Sequence, residues 1–165
     1  MLSTLHTNDS VSAVIRLLDL DIPGYLIAAS VTGILAQRLI RRLCKCHAEV
    51  PAQPGYRARL AGLGVAEPVD VELVPVGCDL CEQTGFKGRV GIYEFLLVDQ
   101  TVRRAIRENR NMDAIRDVAR SNGMKLMQED AIEKVRGGIS TLDEVLRVVP
   151  FETDDRVPVP QAVKV

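Results

Sequence analysis

The chain has no tryptophan, and phenylalanine and tyrosine bring the aromatics to only 4% of its 165 residues. Flat surfaces for stacking bases are therefore scarce. Charge of one sign is equally lacking: 21 lysines and arginines stand against 22 acidic residues, a net charge of −1. A protein that binds nucleic acid through its phosphates needs a cationic surplus, so no nucleic-acid partner is expected. Long apolar runs are missing too. The longest, Leu26 to Ala36, is broken by Ser30, Thr32 and Gly33 and falls short of the roughly 20 residues that cross a bilayer. The opening MLSTLHTNDS has no basic region followed by an apolar stretch, so no secretory signal is expected and the cytoplasm is the default compartment. No Gly-x-x-x-x-Gly-Lys-Ser/Thr loop occurs, no strand ending in paired acids is visible, and no internal repeat is visible. The chain carries no phosphate cradle of its own.

What is present is an ordinary globular balance, 47% hydrophobic and 26% charged, enough to bury a core. Residues Met1 to Leu5 read as the end of a strand. Thr7, Asn8 or Asp9 then caps a helix whose apolar face is Val11, Val14, Ile15 and Leu18. Past Asp21, Pro23 and Gly24, the apolar positions Leu26, Ile27, Val31, Ile34, Leu35 and Leu39 predict a second helix from about Gly24 to Leu43. Arg38, Arg41, Arg42 and Lys45 crowd its C-terminal end, where cations suit the dipole.

From His47 to Gly77 prolines and glycines accumulate around VDVELVPV, which predicts one short strand amid turns. The β-branched and aromatic RVGIYEFLLV predicts another strand. Three helices follow, at about Gln100–Glu108, Met112–Asn122 and Lys125–Arg136, the last stopped by Gly137 and Gly138. A final helix opens at Thr141, with Glu144 at capping-box spacing, and runs to about Val148. Residues 150–165 mix charge, proline and valine without period and are expected to be disordered.

The four cysteines fall as two tight pairs, Cys44 with Cys46 and Cys78 with Cys81. Without an export signal this spacing favours a structural metal over disulfides. Zinc needs four thiolate or imidazole donors converging as a tetrahedron, and two short chelating turns brought together across a loop supply them. Cys78-Asp-Leu-Cys81 after Gly77 has the spacing of a zinc knuckle. Cys44-Lys-Cys46-His47 is one residue short, which leaves three ligand sets open on that side: Cys44 with Cys46, Cys44 with His47, or Cys46 with an outside partner. Buried idle thiols and a redox dithiol are the competing readings. Nothing places Cys78 and Cys81 at a strand-to-helix junction, as a redox dithiol would need.

LSTLHTNDS at 2–10, AQRLIRRLC at 36–44, GCDLCEQTGFKGRVGIYEFL at 77–96 and GMKLMQEDAIEKVRGGISTLDEVLRVV at 123–149 resemble, in that order, the type II secretion and type IV pilus assembly ATPases. The resemblance covers nearly the whole chain up to Pro150. It implies an α/β fold: the C-terminal part of a RecA-like P-loop core at 1–43, a four-cysteine zinc module at 44–85 (metal: Cys44, Cys46, Cys78, Cys81), a strand returning to the core at 86–99, a C-terminal helical bundle at 100–149, and a tail at 150–165. It also implies a homo-hexamer that hydrolyses ATP with Mg²⁺ and works with inner-membrane platform proteins, peripheral to the inner membrane of a bacterium. TLHTN resembles the family's histidine box, so that His6 is expected to approach the terminal phosphate, with Thr4 and Asn8 orienting it. The chain alone lacks the loops that organise phosphoryl transfer and is expected to be inactive without them. A second function is a non-catalytic zinc module docking to membrane-platform proteins. A third, a zinc-ribbon nucleic-acid binder, is disfavoured by the charge balance and the few aromatics. Arg38, Arg41, Arg42 and Arg89 are expected to meet thiolates, phosphates, lipid headgroups or simply solvent.

Overall fold

The computed structural model describes residues 1–65, 69–108 and 111–149. Among them, α1 spans Ser10–Asp19, α2 Gly24–Ser30, β1 Gly33–Leu43, β2 Ala48–Pro51, α3 Pro54–Gly62, β3 Val71–Val74, β4 Phe86–Leu97, α4 Gln100–Glu108, α5 Met112–Ser121, α6 Met127–Arg136 and α7 Leu142–Val148. The strands form two separate antiparallel ladders, β1 with β4 and β2 with β3.

The largest departure from expectation is the long second helix. The chain is helical only to Ser30; Val31 and Thr32 are β-branched, and after Gly33 it runs as β1. The reason lies in what the strand presents. Ile34, Ala36, Arg38 and Ile40 point to one face, while Leu35 and Leu39 stand on the other, 58% and 47% exposed. A strand apolar on both faces has no clean alternation, and periodicity cannot separate it from a helix. Opposite it on β4, Tyr93, Phe95 and Leu97 are also exposed. Met1–Leu5, expected as a strand, pairs with none among the described residues. Helix α3 and strand β2, within the stretch read as turns and one strand, are additions to that reading. The last four helices lie close to their expected spans. The tail at 150–165 lies outside the described residues.

The inner face of the β1–β4 hairpin separates two cores. At its Gly33 end Leu96 and Val98 join Val11, Val14, Leu18, Ile27, Val102, Ile106 and Ile115 from α1, α2, α4 and α5. At its far end Ile40 and Ile92 join Leu60, Met127, Ala131, Val135, Leu142 and Val145 from α3, α6 and α7. Each fully buried Ile, Leu or Val stabilises by about 1.5–3 kcal/mol, so both cores hold onto the same hairpin.

Capping sets the helix starts. The Asp9 carboxylate accepts from the backbone N–H and the hydroxyl of Ser12 at the start of α1, one of the three expected caps. Thr141 accepts from the Glu144 N–H. The reciprocal half of the expected capping box does not form, because the Glu144 carboxylate is engaged by Arg41 and Arg147 instead.

Candidate metal centre

The cysteine pairs lie where the two ladders meet. Cys44 and Cys46 are in the turn between β1 and β2, Cys78 and Cys81 in the turn between β3 and β4, so pairing the four strands brings both turns to one place. The second turn is built from backbone. Gly77 has φ +108°, and a Cβ there would lie 2.7 Å from the Gln83 carbonyl oxygen; only glycine fits so close an approach in that conformation. Cys78 is extended, Asp79–Cys81 form one 3₁₀ turn, and the Cys78 carbonyl accepts from the N–H groups of Cys81 and Gln83. The Cys44 N–H donates to the Gly85 carbonyl at 2.9 Å, which ties the first turn to the second.

All four sulfurs lie within 4.8 Å of one another. Cys44 to Cys78 is 4.0 Å, Cys46 to Cys81 3.8 Å and Cys78 to Cys81 3.7 Å. Tetrahedral zinc with Zn–S bonds of about 2.3 Å requires sulfurs about 3.8 Å apart, and a disulfide requires about 2.05 Å. The four cysteines could therefore hold a metal ion, and zinc fits their spacing and softness. Two amides also point at Cys81 Sγ: Cys78 N–H at 3.1 Å and Gly85 N–H at 3.3 Å. Burial raises the Cys81 thiol, but these amides and the neighbouring thiols outweigh it and bring the pKa down to about 6. Burial is also the main reason that Cys46 is pushed up to about 12. Amide donors onto a sulfur are what a thiolate ligand uses to hold its charge.

His47 does not face the cluster as a ligand. Its Nδ1 lies 2.8 Å from the Cys44 carbonyl oxygen, and its own N–H donates to the same oxygen. Of the three ligand sets left open by the sequence, the geometry assembles the one that uses Cys44 with Cys46. Nor do the neighbouring arginines turn to sulfur. Arg38 Nη2 donates to Asn8 Oδ1 at 2.9 Å. Arg41 grips Glu144 and lies over the Phe86 ring, 4.1 Å from its centroid.

The histidine stretch is on the other part of the hairpin. His6 is exposed, and no hydrogen bond joins Thr4 or Asn8 to it among the described residues. Thr4 lines an open cleft of about 610 Å³ between residues 2–5 with Thr7 and the start of β1 at Gly33–Ala36, with Phe95 and Leu97 also in its wall; His6 does not line it. Asn8 is held by Arg38.

Two carboxylates are buried, Glu144, read from the sequence only as a capping residue, and Glu94, which that reading missed. Glu144, with a fully inaccessible side chain, accepts from the Arg41 backbone N–H and guanidinium and from Arg147. Burial opposes its charge, but the two guanidiniums prevail and hold its pKa down at about 2. Glu94 is 3% exposed on β4. Its only signal in sequence is alternation: Ile92, Glu94 and Leu96 share a face, which puts one acid among apolar neighbours.

Comparison with known proteins identifies the family. Residues 1–147 match the Type II/IV secretion system protein family. The chain is 43% identical over 148 residues to type II secretion system protein HxcR of Pseudomonas aeruginosa, covering 90% of this chain and 28% of that protein. It is 42% identical over 148 residues to the type IV pilus assembly ATPase PilB of Thermus thermophilus, covering 88% of this chain and 16% of that one. It is 39% identical over 149 residues to type II secretion system protein E of Aeromonas hydrophila, covering 90% and 29%. The chain thus spans less than a third of the length of these relatives. With most of its residues matched in order, the chain belongs to the Type II/IV secretion system protein family.

Proposed function

We propose that the chain is the C-terminal part of a hexameric ATPase that converts ATP hydrolysis into assembly of a pilus or secretion pseudopilus at the cytoplasmic face of a bacterial inner membrane. The observation that carries this reading is similarity near 40% over almost the whole chain to proteins named as secretion protein E and as pilus assembly ATPase. In this reading ATP and Mg²⁺ are held by a P-loop and an acidic strand of a RecA-like core in polypeptide beyond these 165 residues.

The open side of the hairpin supports that core. Tyr93 N–H leaves β4 for Asp130, and Arg41 N–H leaves β1 for Glu144. By the alternation of an antiparallel ladder, the same outward edge of β1 at Leu35, Gln37 and Leu39 faces no other strand among the described residues. Together with the exposed Leu35, Leu39, Phe95 and Leu97, it offers both a ladder and an apolar face to a larger sheet. His6, exposed on its loop, is then free to donate to a terminal phosphate or orient water. Zinc at Cys44, Cys46, Cys78 and Cys81 supplies structural cross-linking of the two ladders, with no part in the phosphoryl chemistry. No helix among the described residues is long and apolar enough to cross a membrane; in this reading platform proteins are the partners at the membrane. The test is ATP turnover by the polypeptide with its upstream sequence: His6→Ala is expected to lower it by about a hundredfold or more, and unchanged turnover removes His6 from the mechanism.

A second reading has its own support. Val76 precedes the cysteine turn and Leu80 lies within it, 61% and 73% exposed, an apolar tip suited to docking on a membrane-platform protein. In that reading the chain binds its partner and handles no nucleotide. Affinity of these 165 residues for Mg-ATP contradicts it.

A further inference from the structure

Between the two cores, where Ile92 belongs to one and Leu96 to the other, the hairpin carries Glu94. It lies opposite Ala36, on the inner face. One carboxylate oxygen accepts from the Ser10 N–H at 2.8 Å and from the Ser10 hydroxyl. The other accepts from the Met127 N–H at 3.2 Å. Ser10 is the first residue of α1 and Met127 the first of α6. No lysine or arginine pairs with Glu94 among the described residues. Its charge is met by the amide ends of two helices, where unpaired N–H groups and the dipoles favour an anion. A buried carboxylate is costly unless every oxygen is satisfied, so the side chain holds one rotamer only while both helices stay in place.

The two helices serve different parts of the molecule. α1 begins two residues after Asn8, so its start fixes the end of the loop that carries Thr4 and His6. α6 packs on β4 and on α7, in the other core. Arg38, a diagonal neighbour of Glu94 on the same face of the hairpin, holds the loop a second time through Asn8. The hairpin therefore grips the loop at two points, and only the Glu94 grip extends to the C-terminal helices.

We propose that Glu94 is a positioning residue that ties the orientation of the His6 loop to the start of α6, so that movement of one is felt by the other. The link to catalysis rests on the ATPase reading above; the mechanical tie does not. In this chain, Ser10→Ala keeps the α1 backbone N–H but removes the hydroxyl that fixes the carboxylate. Amide exchange at Met127, on a helix the substitution does not touch, is expected to quicken about tenfold, the scale of one charge-assisted hydrogen bond. Acceleration confined to α1 would overturn the tie and leave Glu94 a separate cap for each helix. Glu94→Gln is expected to quicken exchange at Ser10 and Met127 together. In the polypeptide with its upstream sequence, Glu94→Gln is expected to lower kcat about tenfold with KM for ATP changed less than twofold, since the loop would act on the transition state while the phosphate cradle binds ATP. Exchange coupling with no ATPase in the unsubstituted protein overturns the ATPase reading and leaves the tie standing. A rise in KM at constant kcat overturns the positioning role.

Discussion

The two ends of the β1–β4 hairpin differ in how much of a site they hold. At the Leu43 end all four donors come from this chain, their sulfurs already stand at tetrahedral separations, and backbone amides point at Cys81. At the His6 loop the chain contributes one exposed imidazole and an Arg38–Asn8 contact, with no cradle for phosphate. The first has its full set of donors within this chain; the second, in the proposed ATPase, would be completed by other polypeptide. A metal site made of side chains needs only short segments held in register, whereas phosphoryl transfer needs backbone donors, a cation and a nucleophile converging on one ligand.

If that contrast is sound, damage to the cysteines should be felt in stability and damage to the loop only in activity. The largest effect is expected from metal removal or Cys78→Ser. Loss of one of four ligands should weaken zinc binding by more than the 10- to 100-fold typical of outer-shell losses and loosen the β2–β3 ladder, read by zinc titration and by proteolysis between Cys44 and Cys81. Full stoichiometry in Cys78→Ser would remove that residue from the site.

Next comes Glu144. Its pKa is depressed in the folded chain from 4.5 to about 2, so its stabilisation is complete above the unfolded value and is lost as pH falls from about 5 towards 2. The contribution is on the order of 2–3 kcal/mol at neutral pH. Glu144→Gln should lower stability by a similar amount and flatten the acid limb of a stability-against-pH curve. A parallel curve would show that the Arg41–Glu144–Arg147 cluster is not what titrates.

Smaller still is His47→Ala, which removes the ring held on the Cys44 carbonyl. Zinc affinity should fall about tenfold with stoichiometry retained; loss of stoichiometry would make His47 a ligand. The smallest expected stability effect is at the loop: His6→Ala should change the stability of the chain by no more than about 0.5 kcal/mol, as for other exposed positions, measured by denaturant unfolding. A large loss there would mean that the loop is structural and would erase the contrast.

The sequence displayed these two ends unequally. The cysteine turns were visible from spacing, and Gly77 marked the tight approach that the Cys78 turn requires. The choice of Cys46 over His47 was not visible, because it depends on where the imidazole turns once β1 and β2 are laid down. The four C-terminal helices were legible because each has one apolar stripe and clear stops, such as Thr141 at the start of α7 and Gly138, at φ +66°, after α6. β1 was misread as helix because Leu35 and Leu39 are apolar yet exposed, so that apolar residues stand on both faces of the strand and the period-two alternation is lost. Glu94 was missed, and Glu144 read only as a capping residue, for a related reason: a buried acid declares itself through the donors around it, and those include residues from distant parts of the chain.

The most direct measurement is to take this 165-residue chain alone and determine its bound zinc and its affinity for Mg-ATP in the same preparation. One zinc per chain, released with the reactivity of four thiols, and no binding of Mg-ATP are the expected result. Four freely reactive thiols in the presence of zinc, or nucleotide binding without any upstream sequence, would contradict it.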